Sequence, residues 1–210
     1  MKKNLTLTIL MAFISISVFS SNYHDVMKLN IEKMKKSTSS VELGNIANQF
    51  ERIAKTEKEE WLPGYYAAYS YLRSTFFDEM GNEDTHIQLD KAQAILDELT
   101  KKFQKQSEIF TLQAFVYQLR ITDMSKGYKY SKLAAEAIGV AEKLDPQNPR
   151  IYYLRGSNIY HTSKMFGGGK ENAKPELEKA AKMFESYQPE NDLLPSWGAA
   201  HNSELLKQCS

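Results

Sequence analysis

Residues 134–160 read AAEAIGVAEKLDPQNPRIYYLRGSNIY, and this run decides the fold. Ala134, Ile138 and Ala141 recur at i, i+4 and i+7, which places them on one face of an α-helix. Pro146 and Pro149 follow, at the end of that helix and the start of the next, since proline lacks an N–H and is tolerated only in a first turn. Beyond them Tyr152, Gly156 and Tyr160 form a second stripe, with a small residue between two large aromatics. A small residue lets a neighbouring helix approach closely. The run therefore predicts two helices joined by a short turn and packed face to face.

The pattern recurs on both sides. Ala92, Leu96 and Leu99 carry the first stripe one unit earlier, and Ala173, Leu177 and Ala180 carry it one unit later. Tyr65, Ala68 and Tyr71, then Phe110, Ala114 and Tyr117, correspond to the second. Strand signals are scarce, and helical periodicity predicts helices at about 23–37, 41–57, 62–78, 86–104, 107–123, 127–144, 149–163, 171–186 and 196–208. Two alternating helix types repeating about every 40 residues describe a solenoid of antiparallel hairpins. The expected class is all-α, with roughly nine helices.

The junction at 134–160 resembles that between two tetratricopeptide repeats (TPRs). Ala134, Ile138, Ala141 and Pro146 match the second helix of that family's repeat, and Tyr152 and Gly156 match the opening of the next. The resemblance covers about residues 61–189 and implies a right-handed α-solenoid. The units exceed the family's repeat of about 34 residues. Arg155 and Gln113 stand where the family has apolar side chains. The implied organisation is an N-terminal helical hairpin at 21–60, repeat-like hairpins at 61–189 and a C-terminal capping helix at 190–210. That last helix is expected to start on Ser196 and to pack on hairpin 149–186 with Trp197 as its main anchor. The segment from FGGGK to LLPSWG also looks like the C-terminal part of small exported bacterial proteins of this type.

Residues 1–20 read as an export signal: Lys2 and Lys3 form a basic head, Leu5 to Phe19 an apolar run, and Val18 and Ser20 suit cleavage after Ser20. The run is too short for a membrane anchor. No cysteine follows it, so no lipid is expected. The expected location is the periplasm or the exterior. Two of the 27 basic side chains, Lys2 and Lys3, lie in this leader and none of the 26 acidic ones does, so the mature chain carries a net charge of −1. It lacks the basic excess that nucleic-acid binding draws on. Cys209 has no internal partner, leaving a free thiol or a link between two chains.

GGGK at 167–170 raises the possibility of a phosphate loop. A Walker loop needs Gly and a following Ser or Thr where Lys164 and Glu171 stand, and both it and the dinucleotide fingerprint require a preceding strand. The glycines read as a turn instead, and no nucleotide is expected. His24, His86, His161 and His201 are too scattered for a local metal pair, G-x-S-x-G is absent, and Glu57, Glu59 and Glu60 read as solvated surface. No catalytic residue, metal or cofactor is expected.

Twelve Tyr and ten Phe remain to be explained. In the TPR family the first helix of each hairpin lines a concave groove. By that resemblance the groove-facing set is Tyr65, Tyr69, Arg73, Phe115, Gln118, Tyr153, Ser157, Tyr160 and His161. Tyrosine and arginine suit recognition because each joins a large contact area to a polar end. The leading expectation is a non-enzymatic module that presents this groove to a protein or peptide. A solute-binding component of a periplasmic transport system, with an enclosed pocket, is the first alternative. A hydrolase on a helical scaffold is the second.

Overall fold

The computed structural model describes residues 23–77 and 80–209, so the leader assigned to residues 1–20 lies outside it. Nine α-helices and one short 3-10 turn form the regular structure of the described residues, with no strand among them. They are α1 (23–36), α2 (Ser40–Thr56), α3 (Leu62–Ser74), α4 (Asn82–Lys102), α5 (Ser107–Leu119), α6 (Met124–Leu144), α7 (Pro149–His161), the 3-10 turn Lys164–Phe166, α8 (Lys170–Ser186) and α9 (Ala199–Lys207).

Local chemistry fixes the ends. The side chains of Ser39, Asp123 and Asn148 accept from backbone N–H groups of Glu42, Ser125 and Arg150, capping α2, α6 and α7. The cap at Asp123 starts α6 at Met124, ahead of the expected 127. α3 stops at Ser74 rather than 78, where the hydroxyls of Ser74 and Thr75 donate back to the carbonyls of Tyr71 and Leu72. α5 stops at Leu119 rather than 123, and the next residue, Arg120, turns back onto the Leu89 carbonyl and Asp90 of α4.

Helices α3/α4, α5/α6 and α7/α8 pack as hairpins, and α5 meets both α3 and α7 to form an inner layer. Every residue of the three A-x3-L-x2-L-type stripes on α4, α6 and α8 is at most 8% exposed. The chain folds into the TPR-like solenoid of helix hairpins that the repeats predict. α4 and α6 have 21 residues against 13 in α3, α5 and α7, which accounts for the lengthened unit. The two polar departures become clamps between helices. Gln113 pairs with Gln93 of α4 at 2.8 Å in both directions, and Arg155 reaches Glu142 of α6 and Glu176 of α8.

Gly167 and Gly169, at φ 81° and 98°, reverse the chain between α7 and α8. Gly156 serves close approach instead. A Cβ there would stand 2.6 Å from Leu177 Cδ2, well inside contact distance. Gly139 in α6 has nothing within 4 Å of its Cβ position. Gly156→Ala is therefore expected to lose about 1–3 kcal/mol through overpacking. Gly139→Ala is expected to gain about 0.5–1 kcal/mol from helix propensity alone. Urea unfolding of the two variants checks both signs.

Candidate functional site

The inner faces of α3, α5 and α7 form the concave side, and the chain's own C-terminal segment crosses it. After α8, residues 187–198 run without helix as a strap. Asp192 reaches α1, where it accepts from His24 Nε2 at 2.7 Å and Lys28 Nζ at 2.6 Å. Those partners hold its carboxyl down to about 2. Tyr66 Oη donates to the Leu193 carbonyl at 2.7 Å, and Leu193 is buried. Trp197 then lies on the concave face itself. Its ring stacks on Tyr69 of α3 and on Phe115 of α5, with centroids 5.4 Å apart in each case, and meets Tyr153 of α7 edge-on at 6.5 Å. Its Nε1 donates to Tyr65 Oη at 2.7 Å.

The C-terminal segment departs from expectation in two ways. Ser196 does not start the last helix: residue 196 still belongs to the strap, and Gly198 at φ 109° makes the turn that lets α9 begin at Ala199. Trp197 does not simply anchor that helix on hairpin 149–186, because its ring is spread over three inner helices. α9 itself packs on α8, with Asn202 Nδ2 donating to the Leu177 carbonyl at 3.0 Å.

Beneath Trp197 lies Arg150, fully buried at the start of α7. Its Nε donates to both Glu108 carboxylate oxygens at 3.0 and 3.1 Å, its Nη2 also bonds Glu108, and Nη2 donates to Tyr187 Oη at 2.9 Å. Asn148 Nδ2 adds a further bond to Glu108 at 2.8 Å. The guanidinium carbon sits 4.7 Å from the Tyr187 ring centroid and 5.8 Å from that of Trp197. Nη1 is buried without a partner. Burial alone would lower the Arg150 pKa, but the charge and hydrogen bonds of Glu108 outweigh it and the net shift is upward. Burial raises the phenols of Tyr65 and Tyr69 and pushes Tyr153 up to about 12. At neutral pH these rings are uncharged, as ordinary phenols are, and burial only reinforces this.

The nine residues expected to line an open groove divide into two groups. Tyr65, Tyr69, Phe115 and Tyr153 are gathered around Trp197 and are at most 8% exposed, covered by the strap rather than open. The others lie toward the C-terminal ends of the inner helices. Arg73 donates to the carbonyls of Met34 and Ser37, and Gln118 to the Leu154 carbonyl at 2.7 Å. Ser157 is half-buried, Tyr160 donates to Gln208 at 2.9 Å, and His161 is exposed against the Tyr160 ring. Phe76, 44% exposed and 6.0 Å from Phe115, extends the aromatic row outward.

The sequence reading did not single out Arg150, Glu108 or Tyr187. A signal was present for the pair: Glu108 and Arg150 stand 42 residues apart, the spacing of the Ala92 and Ala134 stripes, so the same repeat position carries opposite charges. Elsewhere His24 is tied to Asp192, His86 to Thr122 and Lys126, and Glu59 to Lys102. Among the described residues no group of three or more His, Cys, Asp or Glu could hold a metal, and no helix is long and apolar enough to cross a membrane.

No family model matches the chain, and no curated protein matches it. Among solved structures it is similar to the HusA haemophore from Porphyromonas gingivalis, with 25% identity and a TM-score of 0.79 over 89% of this chain and 92% of that one. It is also similar to a thermophilic TPR protein from Thermus thermophilus, with 14% identity and a TM-score of 0.63 over 89% and 80% of the two chains. The second likeness concerns the fold alone. The pair is compatible with a module for binding or interaction.

The Arg150–Glu108 pair generates a stability prediction. Arg150→Met leaves a largely buried carboxylate uncompensated and is expected to cost about 3–5 kcal/mol. Adding Glu108→Leu removes that charge and is expected to recover a substantial part of the loss. Denaturant unfolding of the single and double variants measures both.

Proposed function

We propose that this is an exported, non-catalytic binding protein that captures a flat, largely apolar small ligand of the haem class on the strapped concave face. The observation that carries the reading is the stacking of Trp197 on Tyr69 and Phe115. A planar ring already occupies this face, which is lined by neutral aromatics and floored by a guanidinium. The similarity to a haemophore over nearly the whole of both chains supports the same ligand class. An extended peptide is the poorer fit, because the strap takes the centre of the face it would need. Export follows from the leader at residues 1–20, whose basic head and apolar run suit secretion.

Titrating haem into the mature protein is expected to give saturable one-to-one binding, seen as a shifted Soret band and quenched tryptophan emission. Titrations without saturation overturn the ligand class. Amino-terminal sequencing of native material is expected to begin at Ser21, and an intact Met1 overturns export.

A further inference from the structure

Trp197 differs from every side chain it touches. Tyr65, Tyr69, Phe115, Tyr153 and Arg150 sit on helices and are at most 8% exposed, whereas Trp197 belongs to the non-helical strap and is only half-buried. Its indole makes one polar contact, from Nε1 to Tyr65 Oη. The backbone reverses directly after it at Gly198, with φ 109°, so the ring sits beside a conformation that an ordinary side chain rarely adopts. The strap is held independently on either side. Asp192 and Leu193 are fixed to α1 and α3, and α9 is fixed to α8. None of those bonds involves residue 197, so departure of its ring breaks none of them.

What the ring would leave behind is a built site. Tyr69 and Phe115 present stacking faces, Tyr153 an edge, and Phe76 continues the row toward solvent. Arg150 lies beneath, with Nη1 buried and unpartnered. Its other donors and Asn148 already satisfy Glu108, so the ion pair is neutral and Nη1 is a spare hydrogen-bond donor. A buried donor without a partner is costly, and a ligand acceptor would satisfy it.

We propose that Trp197 is a displaceable plug, and that a flat aromatic carboxylate of the tetrapyrrole class takes its place, stacking on Tyr69 and Phe115 with a carboxylate on Arg150 Nη1. This rests on the ligand class proposed above and assigns its position and its gate. Entry exchanges one stacked ring for another, so the ligand restores the stacking that the indole gives up. The wider macrocycle runs outward over Phe76. The free protein keeps its aromatic face covered, which limits the apolar surface it exposes.

The test compares haem binding by the parent protein, Trp197→Ala and Trp197→Phe. Trp197→Ala is expected to bind haem at least tenfold more tightly than the parent. Trp197→Phe, which keeps a ring but loses the bond to Tyr65, is expected to fall between them and guards against misfolding of the alanine variant. In the parent, haem is expected to accelerate hydrogen exchange of amides 193–199. The dimethyl ester of haem, offered to the same proteins, is expected to bind at least tenfold more weakly than the diacid. Equal or weaker haem binding by both variants, with exchange at 193–199 unchanged or slowed, overturns the plug while the ligand class stands. Equal affinity for acid and ester overturns the role of Arg150. Failure of parent and variants alike to bind haem overturns the ligand class and the plug with it.

Discussion

The buried guanidinium of Arg150 ties several parts of the molecule together at one point. It joins α7 to α5 through Glu108, to the strap through the Tyr187 hydroxyl, and to the concave aromatic cluster through the Trp197 ring. Taking a guanidinium out of water is expensive, and the expense is tolerable only with a close carboxylate and several hydrogen bonds. Glu108 supplies both, and Asn148, the cap of α7, fixes the carboxylate from its other side. The strap therefore crosses the solenoid at a place that the repeat geometry has already charged and neutralised.

The hairpins were legible because their signals are local. Ala134, Ile138 and Ala141 lie within two helical turns, and all three are buried. Gly156 stood out as a small residue among aromatics, and the 2.6 Å approach of Leu177 to its Cβ position explains why. Even Gln113 and Arg155, which break the apolar pattern, do so as clamps to neighbouring helices.

The strap was not legible, for an equally physical reason. Its contacts join residues 132, 127 and 168 positions apart: Trp197 to Tyr65, Leu193 to Tyr66, and Asp192 to His24. No periodicity encodes a contact made by a non-helical segment. Pro189, Pro195 and Gly198 announce a turn-rich stretch but not where it lies. A tryptophan near an inferred helix start reads as a cap on the last hairpin, whereas the Trp197 ring is spread over α3, α5 and α7. No stripe on the inner helices reveals that the chain itself lies over Tyr65, Tyr69, Phe115 and Tyr153.

The strap and the neighbouring helices together change which chemistry the concave face retains. In an open groove, long polar side chains on the inner helices would be free to meet the backbone of a bound peptide. Here Arg73 and Gln118 are committed to carbonyls of their own chain, at Met34, Ser37 and Leu154. The phenols of Tyr65 and Tyr66 are committed to Trp197 and to the Leu193 carbonyl. What remains uncommitted is the exposed ring of Phe76 beside Phe115, together with the buried Nη1 amino group of Arg150. A face with its polar groups satisfied internally and its aromatic planes stacked gains most from a partner that is itself a plane. The strap takes up the phenols of Tyr65 and Tyr66 and covers the centre of the face, and both effects underlie the proposal of a flat ligand over an extended chain.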